Sequence, residues 1–491
     1  MMFIKHNLFF LSLFITLSLA AQTELIVPVA SEPGLNAEAD AYLLAQPTTI
    51  WVNYVAFQLD EINTTDTFNV RFHAEDYNIT FDRKEERGLN NYSWFGTSID
   101  RDGSIIISVL GSDDQGIFTK GNEIYRLLTT ANKITAIVHI DQSKYPAEAC
   151  FTSGALIPGN QKNANNHSQQ KEANHIKKAL ENGCNIKGLV LYTPAAEASM
   201  KGSGDPMLTD VKNAIQQAVE VTNQAFKNSE ITTYDPIELV QISQLNFEEE
   251  VDSIVNDLYR LKDSITVVQN LRNQYNADFV MLITDTLYEG CGVAFLGGSK
   301  DWAYGIVQYN CMIENLSFAH EFGHLFGADH DANAISNPQN LNGYNHGYIY
   351  YAEKWRTIMS YNAPCDAMEF NCKRVRYFSN PDVNYPIGNI PMGSVAKENN
   401  AKTCRDNFDK IARFNQPDNN FSLTNNTYSN NGNLYSNVLA KQNITSSGSV
   451  TIQDNSTLIL EAGECIKLNA GFSVEQKADV DIKIETIEDC P

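Results

Sequence analysis

Positive charge is scarce in this chain: 36 lysines and arginines face 59 aspartates and glutamates, a formal net charge of -23. Nucleic acid and anionic membrane would be repelled, which excludes both as main partners. Long hydrophobic runs are also lacking. The longest, Leu8 to Leu19, falls short of the roughly 20 residues a bilayer-spanning helix needs, so no transmembrane anchor is expected. Lys5 and His6 precede that run, and the small residues Ser18, Ala20 and Ala21 follow or close it, so residues 1–21 read as an export signal and the protein as secreted. No loop carries a recognisable calcium-ligand spacing, so Ca2+ is unsupported despite the acidity. Apolar residues are not lacking. At 43% hydrophobic and 10% aromatic, the chain has the material for folded cores, and its 491 residues predict about three units.

The first unit, residues 22–158, is rich in β-type runs such as Ile50–Phe57, Phe68–Phe72 and Ile105–Val109, punctuated by Asn, Asp and Gly. Residues 159–183 turn to Asn, Gln, Lys and His and read as an exposed linker open to proteolysis. From 184 to 416, strand and helix patterns alternate. Leu189–Tyr192, Leu239–Ile242 and Phe279–Ile283 read as strands. Leu208, Val211, Ile215, Val219 and Thr222 mark one helix, and Ile254, Leu258, Leu261, Ile265 and Leu271 a second. This order predicts an α/β unit, a central sheet backed by helices. Residues 417–491 carry short alternating runs spaced by Gly, Asn or Asp, which fit a small all-β module, either a stacked β-solenoid or a sandwich.

Nine cysteines in an exported chain imply disulfides, with at least one cysteine spare. Proximity pairs Cys291 with Cys311, Cys365 with Cys372 and Cys465 with Cys490, leaving Cys150, Cys184 and Cys404.

One run carries chemistry: His320-Glu321-Phe322-Gly323-His324-Leu325-Phe326-Gly327-Ala328-Asp329-His330. On a helix, positions i and i+4 share a face, so His320 and His324 present two imidazoles to one ion. Glu321 then lies beside the open coordination position, where it can take a proton from water and pass it to a leaving amine. Gly327 permits the left-handed turn that returns His330 to the same ion. Three neutral histidines with one exchangeable position make a catalytic Zn2+ set. A bare His-Glu-x-x-His occurs by chance in long chains, and it is the added Gly327 and His330 that raise it above coincidence.

The run resembles the extended zinc motif of the metzincin endopeptidases, and Thr357-Ile358-Met359-Ser360-Tyr361 resembles their Met-turn, which places Met359 beneath the metal. Asp331 is similar to the structural aspartate of the adamalysin or reprolysin branch. Tyr361 instead resembles the tyrosine with which astacins and serralysins assist the oxyanion. A fuller resemblance, over residues 184–414, is to bacterial peptidyl-Asp metalloendopeptidases. It is carried by Leu189–Ala196, Cys291–Phe295, the zinc helix, Trp355–Tyr361 and Tyr377–Val383.

That resemblance implies a metzincin catalytic domain with a mixed twisted sheet and an active-site helix. It also implies cleavage of peptide bonds on the N-terminal side of Asp. Protein or peptide substrates would lie along Gly292, Val293 and Ala294 as an added strand. A positively charged pocket would be built from Arg374 and Arg376 in the basic cluster after the Met-turn, a cluster that otherwise reads as a solvated turn. The first unit then resembles a propeptide, with Cys150 as the candidate latency thiol. The last resembles the β-solenoid tails of secreted Bacteroidota proteins, where a role in surface retention is open. A monomer is expected. Two rival readings stand beside this one. The first is a non-catalytic binding or adhesion protein on a protease scaffold; intact Glu321 and three histidines count against it. The second is an iron oxygenase, which would want a carboxylate in place of the third histidine.

Overall fold

The computed structural model describes residues 23–28, 36–57, 67–72, 75–88, 90–146, 185–250, 253–285, 290–297, 299–334, 343–428, 435–454 and 456–484. The export signal, the linker, Cys150, Cys184 and Cys490 lie outside the described residues.

Nine strands form a closed barrel: β1 (Thr23–Pro28), β2 (Thr49–Phe57), β3 (Thr67–Phe72), β4 (Glu75–Gly88), β5 (Asn91–Ser98), β6 (Gly103–Leu110), β7 (Asp113–Lys120), β8 (Glu123–Thr129) and β9 (Thr135–Ile140). Their order is β1-β2-β9-β8-β7-β6-β5-β4-β3, antiparallel except where β1 meets β3 in parallel and closes the ring. Helix α1 (Ala37–Ala45) lies against β2. Strand β6 explains why Ile105, Ile106 and Ile107 stand in an unbroken apolar row. Ile105 and Ile107 enter the barrel with Phe68, Trp94 and Phe118, while Ile106 faces outward with Phe95, Ile117 and Ile124 and joins the core of the next unit. A strand buried on both faces has no polar alternation to show.

That next unit is built on a five-stranded sheet of β10 (Ile186–Tyr192), β11 (Ile237–Gln244), β12 (Phe279–Thr284), β13 (Gly292–Ala294) and β14 (Tyr304–Gln308). The order is β11-β10-β12-β14-β13, with β13 an antiparallel edge strand on an otherwise parallel sheet. The helices of eight or more residues follow in chain order: α2 (Pro194–Lys201), α3 (Val211–Asn228), α4 (Ile254–Asp263), α5 (Thr266–Gln274), α6 (Ser317–Leu325) and α7 (Asn400–Ile411). Every residue of β10 is buried, with Val190 in the core that contains α3 and Leu189 and Leu191 in the core that contains α4.

Helix α3 starts where the Asp210 side chain accepts the N–H of Lys212, a cap worth about 1 kcal/mol. Ile215, Val219 and Phe226 bury its apolar face in the core it shares with Met281 and Ile283. Its polar residues are buried too, against the barrel. Asn213 Nδ2 donates to Ser108 O at 3.1 Å, and Gln217 Nε2 to Ile106 O at 3.2 Å. The single helix read through Ile254 and Leu271 is in fact two. Ser264 closes α4 by donating its N–H to Arg260 O, and Ile265 takes an extended conformation as the residue before α5.

The last strands pair coil on coil in three parallel three-stranded sheets around Leu423, Ile444, Val450, Leu458 and Leu460. Neighbouring coils are 22 residues apart where Lys483 meets Glu461. Cys291 is bonded to Cys311 and Cys365 to Cys372. Cys404 is buried as a free thiol, its pKa pushed up by burial, and Cys465 is exposed.

Candidate metal centre

Helix α6 holds its two histidines one turn apart, and the chain after it bends back at Gly327, whose φ of +89° is open to glycine at no steric cost. His324 Nε2 comes within 3.1 Å of His320 Nε2, and His330 Nε2 within 3.2 Å of the same atom. All three rings are buried. His320 Nδ1 donates to Ile358 O and His324 Nδ1 to Ala328 O, each at 2.8 Å. With their protons committed there, the Nε2 atoms of His320 and His324 face each other as bare lone pairs. That contact repels unless a cation lies between them, so the donor set fits a metal ion, with second partners that fix ring orientation.

Electrostatics agree. Burial, then the presence of His324, the Arg374 cation and His330 close by, hold His320 well below the usual histidine range. Burial pushes His324 down to about 4, and burial first, then the neighbouring His324 and the Arg374 cation, hold His330 well below its ordinary value. Neutral imidazoles are the form that ligates.

The surrounding residues are set by close packing. A Cβ on Gly323 would meet Met359 Sδ at 2.6 Å, so the glycine inside the helix is what lets the Met-turn lie against it. Asp331 Oδ2 accepts the N–H of Tyr361 at 3.0 Å, tying the segment after the third histidine to the turn. The Tyr361 ring lies 4.1 Å from the His330 ring, centre to centre. Glu321 is fully buried, and its carboxylate lies against the edge strand: a Cβ on Gly292 would meet Glu321 Oε1 at 2.8 Å.

The basic cluster divides. Arg374 sits by the triad, its guanidinium donating to Asn315 O at 2.7 Å and Ser360 O at 3.1 Å. Arg376 turns to the barrel, where Nη1 donates to Ser104 Oγ at 3.3 Å and burial lowers its pKa to about 10. A cavity of about 140 Å³ lies between the barrel and this segment, lined by Thr97, Ser104, Asn228, Arg374 and Arg376 among others. Gln142, just beyond β9, clips the Arg374 segment to the loop before α6. Its Oε1 accepts the N–H of Arg374 at 2.8 Å, and its Nε2 donates to Glu314 O at 2.9 Å. Arg126 of the barrel pairs with Glu314 at 2.8 Å, both side chains largely buried, in the loop that leads into α6. Breaking such a pair by removing one partner costs roughly 3–5 kcal/mol.

A further acidic group among the described residues, Glu85, Glu220 and Asp235, joins β4 to the α3 region. Arg83 pairs with Glu85, Arg87 with Glu220 and Lys227 with Asp235, so its charge is already balanced by three cations. It reads as an ion-pair seam, not a metal site.

The sequence reading missed Gly323, Gln142 and His346. For Gly323 a signal was present, a glycine inside an otherwise well-formed helix. For the other two, none was.

Residues 182–379 match the family model described as Metallo-peptidase family M12. The chain is 30% identical over 324 residues to a peptidyl-Asp metalloendopeptidase of Stenotrophomonas maltophilia (strain R551-3), covering 63% of this chain and 70% of that one. A peptidyl-Asp metalloendopeptidase of Xanthomonas campestris pv. campestris is 28% identical over 326 residues, 65% of this chain and 71% of that one. Among solved structures, metalloproteinase-II from Bacteroides fragilis is similar at a TM-score of 0.34 and 13% identity, over 56% of this chain and 82% of that one.

Proposed function

The chain belongs to the M12 metallopeptidases and, within them, to the peptidyl-Asp metalloendopeptidase family; from that premise we propose that it is an exported enzyme that cuts on the N-terminal side of aspartate and is made as a latent precursor. It is a zinc metalloendopeptidase. The observation that carries the chemistry is the convergence of three neutral imidazole nitrogens beside a buried glutamate and a sheet edge.

His320, His324 and His330 would hold the zinc. When bound, zinc supplies Lewis acidity toward a peptide carbonyl and toward water. Strand β13 lines up an extended substrate by strand addition, which suits cleavage within a chain over trimming at its end. The Glu321 carboxylate accepts a proton from the attacking water as the new C–O bond forms. It then delivers that proton to the amide nitrogen as the C–N bond breaks. The Tyr361 phenol, held beside His330, donates to the oxyanion that develops on the carbonyl oxygen. Arg374, fixed beside the triad by two carbonyls, is the positive charge placed to favour an acidic side chain after the scissile bond. A peptide-library assay tests this on protein cut within the linker, residues 159–183, with and without a zinc chelator. Chelator-sensitive cutting before Asp is the expected result. Cutting before other residues removes the specificity, and no cutting by zinc-loaded protein favours the binding-protein alternative.

The barrel serves as the propeptide. Its hold on the catalytic unit should depend on pH, because burial first, then the charges of Glu220 and Asp235, pushes Glu85 up to about 7. Burial likewise pushes Asp113 up to about 6 and raises Glu220 and Glu314. Once the barrel is released and water reaches these carboxyls on both units, they return to ordinary values near 4. For Glu85 and Asp113 the ionised forms are therefore the costly ones in the packed state, so their contribution to the barrel's grip is full below about pH 4 and is lost as pH rises through about 6 to 7. Glu123, held down to about 2 by His139 and Lys373, instead loses its contribution only as pH falls below about 4. After cleavage of the connection, size-exclusion chromatography should show more free barrel at pH 8 than at pH 5. The reverse order would remove these carboxyls from the account.

A further inference from the structure

The three histidines at the centre are not held alike. His320 and His324 each have a ring nitrogen bonded to a backbone carbonyl. Among the described residues the closest carboxylate oxygen to His330 Nδ1 is Asp329 Oδ1 at 3.8 Å, beyond hydrogen-bonding range. What fixes the third ring is its backbone. The His330 N–H donates to Asp329 Oδ1 at 2.8 Å, and the His330 carbonyl accepts from His346 Nδ1 at 3.0 Å.

His346 is a fourth histidine, fully buried, outside the zinc motif and the Met-turn. It lies on a strap, residues 343–347, that runs alongside the chain leaving α6. Asp329 and His346 form an isolated parallel bridge, with Asp329 N donating to Asn345 O at 2.6 Å and Gly347 N to Asp329 O at 3.2 Å. Asn345 Nδ2 holds Gly327 O at 2.9 Å, the turn that brings the third histidine back. The strap is itself pinned. His346 N donates to Lys397 O, and His346 O accepts the Ser379 hydroxyl at 2.6 Å. On its other side Gly347 is pressed against the Met-turn, since a Cβ there would meet Ser360 Oγ at 2.5 Å.

With Nδ1 carrying the proton, His346 Nε2 is a lone pair with no hydrogen-bond partner among the described residues, sealed from solvent. An aliphatic side chain would fill the space without that cost. What the imidazole adds is the Nδ1 donor. We infer that His346 is a positioning residue for the metal centre: it locks the His330 carbonyl, and through it the aim of the His330 ring, acting one shell behind a histidine whose Nδ1, among the described residues, has no hydrogen-bonded carbonyl or carboxylate to orient it. The inference rests on the metallopeptidase reading.

Its test compares His346→Asn with His346→Leu in the full chain. The Asn amide nitrogen falls near the position of Nδ1 and keeps the donor, while Leu keeps the volume and loses it. Zinc affinity is measured by competition with a chromophoric chelator, and the cobalt(II) absorption spectrum reports ligand geometry. His346→Leu should bind zinc 10–100-fold more weakly, by the usual effect of removing an outer-shell partner, and shift the cobalt bands. His346→Asn should stay within about threefold of the parent and keep its spectrum. If the Leu protein does not fold, His346→Gln, whose amide reaches the Nε2 position and not that of Nδ1, takes its place with the same expectation. Parent-like affinity in the variant without the donor, or Asn as weak as Leu, overturns the inference while leaving the enzyme assignment standing. A parent chain that binds no zinc overturns both.

Discussion

Replacing Glu321 with glutamine is expected to lower kcat about 10²–10⁴-fold, the range of general acid–base catalysis, with KM changed by no more than a few-fold. The substitution keeps shape and removes basicity. Glu321 is fully buried and packed against Gly292, so an amide of the same size fits the space the carboxylate holds. None of the three histidines takes its orientation from Glu321: His320 and His324 are held by the carbonyls of Ile358 and Ala328, and His330 through its backbone. Zinc content, measured by mass spectrometry of the metal, should therefore stay at that of the parent. Initial rates on an internally quenched peptide containing one Asp give the kinetic side. A glutamine variant as fast as the parent would move the proton-transfer role to another group. A variant that has lost its zinc would show that Glu321 supports the site and does not only use it.

What could be read from the sequence was what local geometry determines. His320 and His324 share a face because a helix repeats every 3.6 residues, and His330 follows at a glycine whose positive φ the sequence signals by residue type alone. The bonded pairs Cys291–Cys311 and Cys365–Cys372 were legible for the same reason, being close along the chain. Contacts between distant segments left no such trace. His346 reaches His330 across 16 residues, and Gln142 reaches Arg374 across 232. No spacing rule connects residues so far apart. Arg374 and Arg376 were chosen together as cations in one cluster, yet one packs beside the triad and the other against Ser104 of the barrel. Composition counts charge and cannot say which way a side chain turns. The polar surface of α3 was silent in the same way. The helix pattern was carried by Leu208, Val211, Ile215, Val219 and Thr222 alone, and nothing in it showed that Asn213, Gln217 and Glu220 are buried as well.

Gly292→Ala should act on catalysis without touching a metal-binding residue. A Cβ built there lies 2.8 Å from Glu321 Oε1, 2.9 Å from Glu321 Cγ and 2.9 Å from Ile306 O. The last contact is backbone of β14, held in antiparallel register with β13, so the strand cannot simply withdraw. The softer neighbour is the glutamate side chain, and it must move. Misplacement of a reacting group by about 1 Å can cost 10²-fold in rate, and a kcat loss of that order is expected, with zinc content unchanged. The double variant separates causes. If the alanine acts by displacing the carboxylate, adding it to Glu321→Gln should remove little further rate, because the two changes strike one function and their effects are not additive. If it acts by spoiling the edge along which the peptide lies, the two losses should multiply, with the alanine's share appearing mainly in KM.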